Sequence, residues 1–146
     1  MAGDSTEASC AMNVFEPVNP RELGAPRGYT HGWLSPAGWR VLFVAGQTAT
    51  NGDGRVADHG FADQFQTALD KTLTVVRAAG GAPEHIARMT VYVTDMDAYR
   101  TNRSCLGEIW RSRMGRHYPA MALLGVSNLV DEGAMVEIEA TAVVPA

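Results

Sequence analysis

Lysine is all but missing from this chain. Lys71 is the only one, and arginine supplies the other basic side chains. The 146 residues carry 12 Lys and Arg against 16 Asp and Glu, a formal net charge of −4. Phosphate backbones are held by clustered cations, and here the basic residues are dispersed, which counts against a nucleic-acid partner. The one local cluster, Arg111, Arg113 and Arg116, reads as a basic helix C-terminus that complements the helix dipole. Cysteine is as scarce. Cys10 and Cys105 lie far apart without a CxxC spacing, so neither a zinc site nor a disulfide framework follows. Cys105 falls in a helical pattern and reads as a small core residue. His31, His59, His85 and His117 show no metal-ligand spacing. No apolar run approaches the roughly 20 residues of a membrane span, so no membrane partner is expected. Met1 to Ser9 have neither the basic head nor the apolar stretch of a signal peptide. Residues 1–11 therefore read as a disordered lead-in and residues 12–146 as a single domain, with the cytoplasm as the default location.

Against these absences stands Val41-Leu-Phe-Val-Ala-Gly-Gln47. It is an apolar run of strand length, too short for a core helix. Gly46 at its end permits a kink, or close approach by a ligand or another backbone. The run is either a central strand leaving the core through a turn, or a strand whose end floors a small-molecule site.

Around it the chain divides cleanly. Met12 to Phe15 reads as a short first strand, and Glu16 to Gly28, rich in Pro and Gly, as a loop. Tyr29 to Leu34 and Trp39 to Ala45 flank the turn Ser35-Pro-Ala-Gly38 and make a hairpin. A regular strand would put Tyr29, His31 and Trp33 on one face. Asn51-Gly-Asp-Gly54 is a tight turn with too few carboxylates for an EF-hand and no phosphate-loop lysine. Phe61 to Ala79 is a helix, with Phe61, Phe65, Ala68, Leu69, Thr72, Leu73, Val76 and Ala79 as its buried stripe. Gly80 and Gly81 end it. Ile86 to Thr94 is the strongest strand, and Asp95 an N-cap. A second helix runs from Met96 to Met114, with Tyr99, Leu106, Ile109, Trp110 and Met114 on its apolar face and Asn102 on or beside it. Ala120 to Val126 and Met135 to Val144 are the last strands and form a closing hairpin. The order β-β-β-α-β-α-β-β, with a right-handed β-α-β crossover, predicts an α+β sandwich: a mixed sheet with two helices on one face.

Glu137 and Glu139 stand two apart in the last strand and so share a face. On the alternation of Val136, Ile138 and Ala140, that face lies opposite the helix-packed core. In a monomer it is solvent; in an oligomer it is an interface or cleft, where a carboxylate holds water or acts as general acid/base. Asn102 reads first as a structural hydrogen-bonder, and Tyr29 as packing. No nucleophile elbow, metal triad or phosphate loop is present.

From Tyr29 to Val144 the chain resembles the Rid family, the reactive intermediate deaminases also called YjgF-like proteins. The resemblance rests on Gly28-Tyr29, Phe43-Val-Ala-Gly-Gln47, Gly54-Arg-Val56, Phe61 to Leu69, Ala79-Gly80, Thr90 to Met96, Tyr99 to Asn102, Tyr118-Pro-Ala120 and Val136 to Ala140, in that order and spacing. It implies a chorismate-mutase-like fold and a homotrimer built round a central barrel, with three clefts between subunits. The polar face of the last strand would then meet a neighbour. The activity it implies is hydrolysis of enamines and imines to keto acids and ammonia, without metal or organic cofactor. By that resemblance Glu137 positions the attacking water. Tyr29 is a cleft tyrosine, Gly46 a backbone contact to the ligand, and Asn102 the asparagine of the second-helix motif. His31 joins Tyr29 by strand alternation.

The departure is Met121, where the deaminase branch has an arginine that grips the substrate carboxylate. Methionine has neither charge nor donor, and losing such a pair costs roughly 2–5 kcal/mol of binding. Leu123 replaces a cysteine of some relatives, and Ala45 a serine. An apolar cleft with Met121, Leu123 and Trp33 in contact with the ligand favours a larger or uncharged substrate over small 2-imino acids. Four readings follow. They are a Rid-type hydrolase of altered specificity, another metal-free acid/base reaction in a specialised or degradative pathway, a non-catalytic small-molecule-binding trimer, and an endoribonuclease.

Overall fold

The computed structural model describes residues 14–27, 29–56 and 60–146. The expected lead-in over 1–11, together with Met12, Cys10, Gly28 and His59, lies outside them.

The elements are β1 (Glu16–Val18), β2 (Gly32–Leu34), β3 (Arg40–Thr48), α1 (Phe61–Ala78), β4 (Ile86–Val93), α2 (Met96–Thr101), α3 (Arg103–Met114), β5 (Ala120–Gly125) and β6 (Val136–Val144). Four strands form one mixed sheet in the order β3-β6-β4-β5. β6 is antiparallel to both β3 and β4, and β5 runs parallel to β4. The helices cover one face. The α1 stripe behaves as its spacing predicts: Leu69, Leu73 and Val76 are fully buried against Met89, Val91, Val136 and Ile138 of the central strands. Each such side chain contributes about 1.5–3 kcal/mol of burial. Arg113 of α3 donates twice to the Asp70 carboxylate of α1, from Nε at 2.7 Å and Nη2 at 3.2 Å, and so ties the two helices together. Gly80, at φ 82°, and Gly115, at φ 60°, terminate α1 and α3 in backbone conformations that side chains with a Cβ avoid.

The α+β architecture and the helix–sheet layering stand as expected, but six local expectations do not. Among the described residues the first strand is Glu16–Val18, so part of the presumed loop is extended; of the expected Met12–Phe15 strand, Val14 and Phe15 are not in a strand and residues 12 and 13 lie outside the described residues. β2 pairs with β1, not with β3, so the Tyr29–Ala45 hairpin does not form. The reason is Trp33. Its ring lies 6.2 Å from Phe15 and 6.5 Å from His117, and its Nε1 donates to Tyr118 O just ahead of β5, the edge strand farthest from β3. Those contacts outweigh the few ladder bonds a three-residue strand can offer. There is no closing β5–β6 hairpin either, because β6 inserts between β3 and β4. A strand there is flanked on both sides, and its buried Val136, Ile138, Ala140 and Ala142 meet the helices. β3, expected to be central, is consequently an edge of this sheet. The second helix breaks at Asn102, which ends α2 and starts α3. Cys105 is exposed, one position out of phase with the buried Leu106, Ile109 and Trp110.

Candidate active site

Strand alternation along β6 puts Glu137, Glu139 and Thr141 on the face the helices leave open. Across from them β3 bulges. Val44 pairs with Ala140 and Gln47 with Ile138, so Ala45 and Gly46 together oppose the single residue Glu139. Two residues against one bend a strand and re-aim its neighbours. At this bulge the Glu137 carboxylate lies directly on Gly46. A Cβ on Gly46 would stand 2.8 Å from the carboxyl carbon of Glu137 and nearer still to its Oε1. Glycine is therefore needed here for close approach, as the Val41–Gln47 pattern anticipated, although the approaching group is a side chain of the protein itself.

The two glutamates differ in what holds them. Glu139 accepts a 2.8 Å hydrogen bond from the Tyr92 hydroxyl. That bond, followed by desolvation and the nearby negative charge, raises the Tyr92 pKa above its ordinary value of 10.0. Glu137 makes no side-chain hydrogen bond or ion pair among the described residues, so its oxygens remain available to water or ligand. The chain leaving the bulge is pinned from behind. Lys71 Nζ donates to Thr48 O at 2.9 Å and to Thr50 Oγ1 at 2.9 Å, and the Thr48 hydroxyl donates to the Asp131 carboxylate. The only lysine is thus occupied by structure. Beside the glutamates, a depression of about 270 Å³ opens between Phe43, Arg88, Thr90, Glu139 and Thr141.

The other expected site residues lie elsewhere. Tyr29 and His31 do meet, with rings 5.2 Å apart and edge-on, but in irregular chain before β2 rather than along a strand. The His31 backbone N–H donates to Asn19 Oδ1 at 2.9 Å, and its ring pairs with Gly24 O at 3.3 Å. Trp33 packs in the Phe15–His117 cluster. His117 titrates below its ordinary 6.5 because burial disfavours the imidazolium, although its 2.7 Å contact with Ile86 O acts the other way. Asn102 is structural at this point: its Nδ2 donates to Ala98 O at 2.8 Å, in the joint between α2 and α3.

Met121 and Leu123 pair with Met89 and Val91, and so point to the helix side of the sheet. They line a cavity of about 340 Å³ between α3 and β5, with Tyr99, Trp110 and Tyr118. Within one chain, then, Glu137 and the Met121–Leu123 pair stand on opposite faces and share no cleft. Arg103 lines the same cavity, and the reading of the sequence passed over it. Its position four residues after Tyr99 and three before Leu106, on the apolar stripe of the helix, was the available signal. Among the described residues no group of three or more His, Cys, Asp or Glu could hold a metal ion, and no helix is long and apolar enough to cross a membrane.

Comparison with known proteins bears on the fold and the family. The chain is 27% identical to human 2-iminobutanoate/2-iminopropanoate deaminase over 105 residues, 71% of this chain and 73% of that protein. The conserved Rid family protein YyfB from Yersinia pestis superposes with a TM-score of 0.74 at 28% identity, covering 90% of this chain and 99% of that one. Escherichia coli TdcF with bound serine does so with a TM-score of 0.63 at 27% identity, covering 82% and 91%. The family model described as Endoribonuclease L-PSP matches residues 22–144. By that match, and by the fold that it shares with YjgF of Escherichia coli, the chain belongs to the Rid/YjgF family.

Proposed function

We propose that this chain is a metal-free hydrolase of the enamine/imine deaminase type with altered specificity, working in clefts between three copies of itself. The observation that carries the reading is the Glu137 carboxylate, seated on the Gly46 bulge and without a side-chain partner among the described residues while Glu139 is tied to Tyr92. The deaminase relative supports the reaction class. A water held by Glu137 adds its oxygen to the C=N carbon, and the carboxylate takes the water's proton as the nitrogen gains one. The resulting carbinolamine expels ammonia as the hydroxyl proton leaves, giving the carbonyl. General-base assistance of this kind contributes about 10²–10⁴ in rate.

Assembly supplies what one chain lacks. Phe43 is 80% exposed, and Val41 and Leu124 share its open face, so an uncovered apolar surface lies beside the glutamates. A trimer that lays the β5 edge of one copy on the open face of the next brings Met121 and Leu123 to a neighbour's Glu137. Tyr29 and His31 complete such a cleft if the segment before β2 follows β5. The apolar Met121 and Leu123 favour bulky or uncharged imines over small 2-imino acids.

Imines generated enzymically, charged and uncharged, small and bulky, test the reading by their clearance rates. Acceleration confined to the bulky or uncharged members and abolished by Glu137→Gln in an intact trimer is the expected result. Full activity in that variant would remove Glu137 from the mechanism. The bound serine in TdcF favours a second reading, a trimer that binds small molecules without turnover, which predicts saturable binding and no product. Neither the net charge of −4 nor the dispersed arginines favour the endoribonuclease role in the family's description.

A further inference from the structure

We infer that the cavity between α3 and β5 takes the apolar body of an aryl-bearing carboxylate, with Arg103 as the contact for its charge. The inference rests on the reading of Met121 and Leu123 as cleft residues and names the substrate class: 2-imino acids with an aromatic side chain.

Three observations converge. First, the walls are aromatic and aliphatic. Trp110 and Tyr118 stack at 5.5 Å with 13° between their planes, and Tyr99, Met121 and Leu123 complete the lining. A space of about 340 Å³ with such walls is of the size that encloses a small organic molecule. Second, Arg103 is the single charged residue of that lining, and it makes no ion pair among the described residues. Of the neighbouring helix arginines, Arg100 pairs with Asp97 and Arg113 with Asp70, and Arg111, although near Gly107, does not line the cavity. A guanidinium at the lip of an apolar pocket is suited to a planar carboxylate, which it meets with two parallel donors. Third, Gly107 sits in the middle of α3, where glycine weakens a helix. Its φ is not positive, and nothing crowds it: an added Cβ would meet only Arg111 Nη1, at 3.4 Å. The backbone has no need of glycine at this place. What glycine does is leave the cavity open, because a side chain there would enter it. Charge recognition thus moves from the strand, where Met121 offers none, to the first turn of the facing helix.

Binding can be read without turnover, so failure here is separable from failure of the hydrolase reading. Calorimetric titration of the full assembled chain would use three probes: 3-phenylpropanoate, 3-phenylpropanamide and propanoate. Saturable binding of 3-phenylpropanoate is expected, with the amide about tenfold weaker for want of the charge-assisted bond and propanoate weaker again for want of the ring. Arg103→Met should weaken 3-phenylpropanoate about tenfold and leave the amide unchanged. Gly107→Leu should weaken both aromatic probes by filling the space. Arg103 is exposed, so its replacement leaves the fold intact, and the unchanged amide serves as the internal check. Equal binding of propanoate and 3-phenylpropanoate overturns the inference. So does an acid-to-amide ratio that survives Arg103→Met, or absence of binding by all three. In each of those cases imine clearance with Glu137→Gln as the blank still decides the hydrolase reading. If clearance fails while the probes bind as described, the cavity stands and the reaction does not.

Discussion

The two faces of the four-stranded sheet are built from the same strands and obey opposite rules. On the helix side, Met89, Val91, Val93, Val136 and Ile138 are fully buried and carry no polar atom that needs a partner. On the other side, one residue along each strand, stand Arg88, Thr90 and Tyr92, then Glu137, Glu139 and Thr141, with Phe43 almost wholly exposed among them. The first face stabilises the chain by removing apolar area from water. The second keeps charge, hydroxyls and an uncovered ring together, which suits the proposed contact with a neighbouring copy. Along β4 and β6 the pleat therefore separates the buried core from the face that carries Glu137, and substitutions on those two faces should fail in different assays.

The largest effect belongs to the helix side. Leu69→Ala empties a fully buried position among Leu73, Val136 and Ile138, and should lower the unfolding free energy by about 2–5 kcal/mol. Urea denaturation measures it; a loss below one kcal/mol, as at a typical surface site, would contradict the packing described here. On the open face, Phe43→Asp should leave the single chain folded, with a stability change of about 0.5 kcal/mol or less. It should nevertheless dissociate the assembly, because a charge would be buried against a neighbour. Sedimentation of wild type and variant across concentration checks this, and an unaffected oligomer would mean that the open face is not the interface.

A smaller and more local effect is expected at the bulge. Gly46→Ala puts a methyl group where the Glu137 carboxylate now lies. The carboxylate ends a flexible side chain and can swing away, so the fold should survive while the position of the bound water does not. The expected result is a fall in turnover approaching that of Glu137→Gln, with a melting temperature close to wild type. If alanine leaves turnover untouched, the contact between these two residues is incidental to catalysis.

How far these features could be read in advance depends on how much of the chain's neighbourhood is local. The α1 stripe from Phe61 to Val76 and the alternation along β6 were legible, because helix and strand periods put one face in oil and the other in water. The Asp95 cap was legible for the same reason: its side chain accepts from Asp97 N and Ala98 N, within three residues. The partner of β2 was not legible, since it depends on Trp33 finding Phe15 and Tyr118 O, 85 residues away for the latter. The side to which β5 turns was illegible too. Ala120 to Gly125 is apolar on both faces and exposed at the edge, so no alternation marks where Met121 and Leu123 point. Glu137 was distinguished from Glu139 only through a resemblance; in the structure the distinction is the Tyr92 hydroxyl, which comes from another strand.

That hydroxyl offers the finest test of the comparison. Tyr92 donates to Glu139, and losing its proton would place a phenolate beside a carboxylate, which is why its pKa lies above the ordinary 10.0. A raised folded pKa means that the bond's contribution to stability is fully present below pH 10 and is lost as the pH climbs through the folded value. Phenolate absorbance of wild type minus that of Tyr92→Phe isolates this group from Tyr29, Tyr99 and Tyr118. Glu139→Gln should bring the midpoint back toward 10, since both the accepting carboxylate and its charge are gone. Phe43→Asp should also lower it by a smaller amount if the proposed assembly uses this face, because a neighbouring subunit there would desolvate Tyr92 and the dissociated chain would not. If the midpoint is identical in wild type and Phe43→Asp while sedimentation shows that the assembly has come apart, then Tyr92 lies outside the contact, and the glutamates beside it face solvent rather than a cleft.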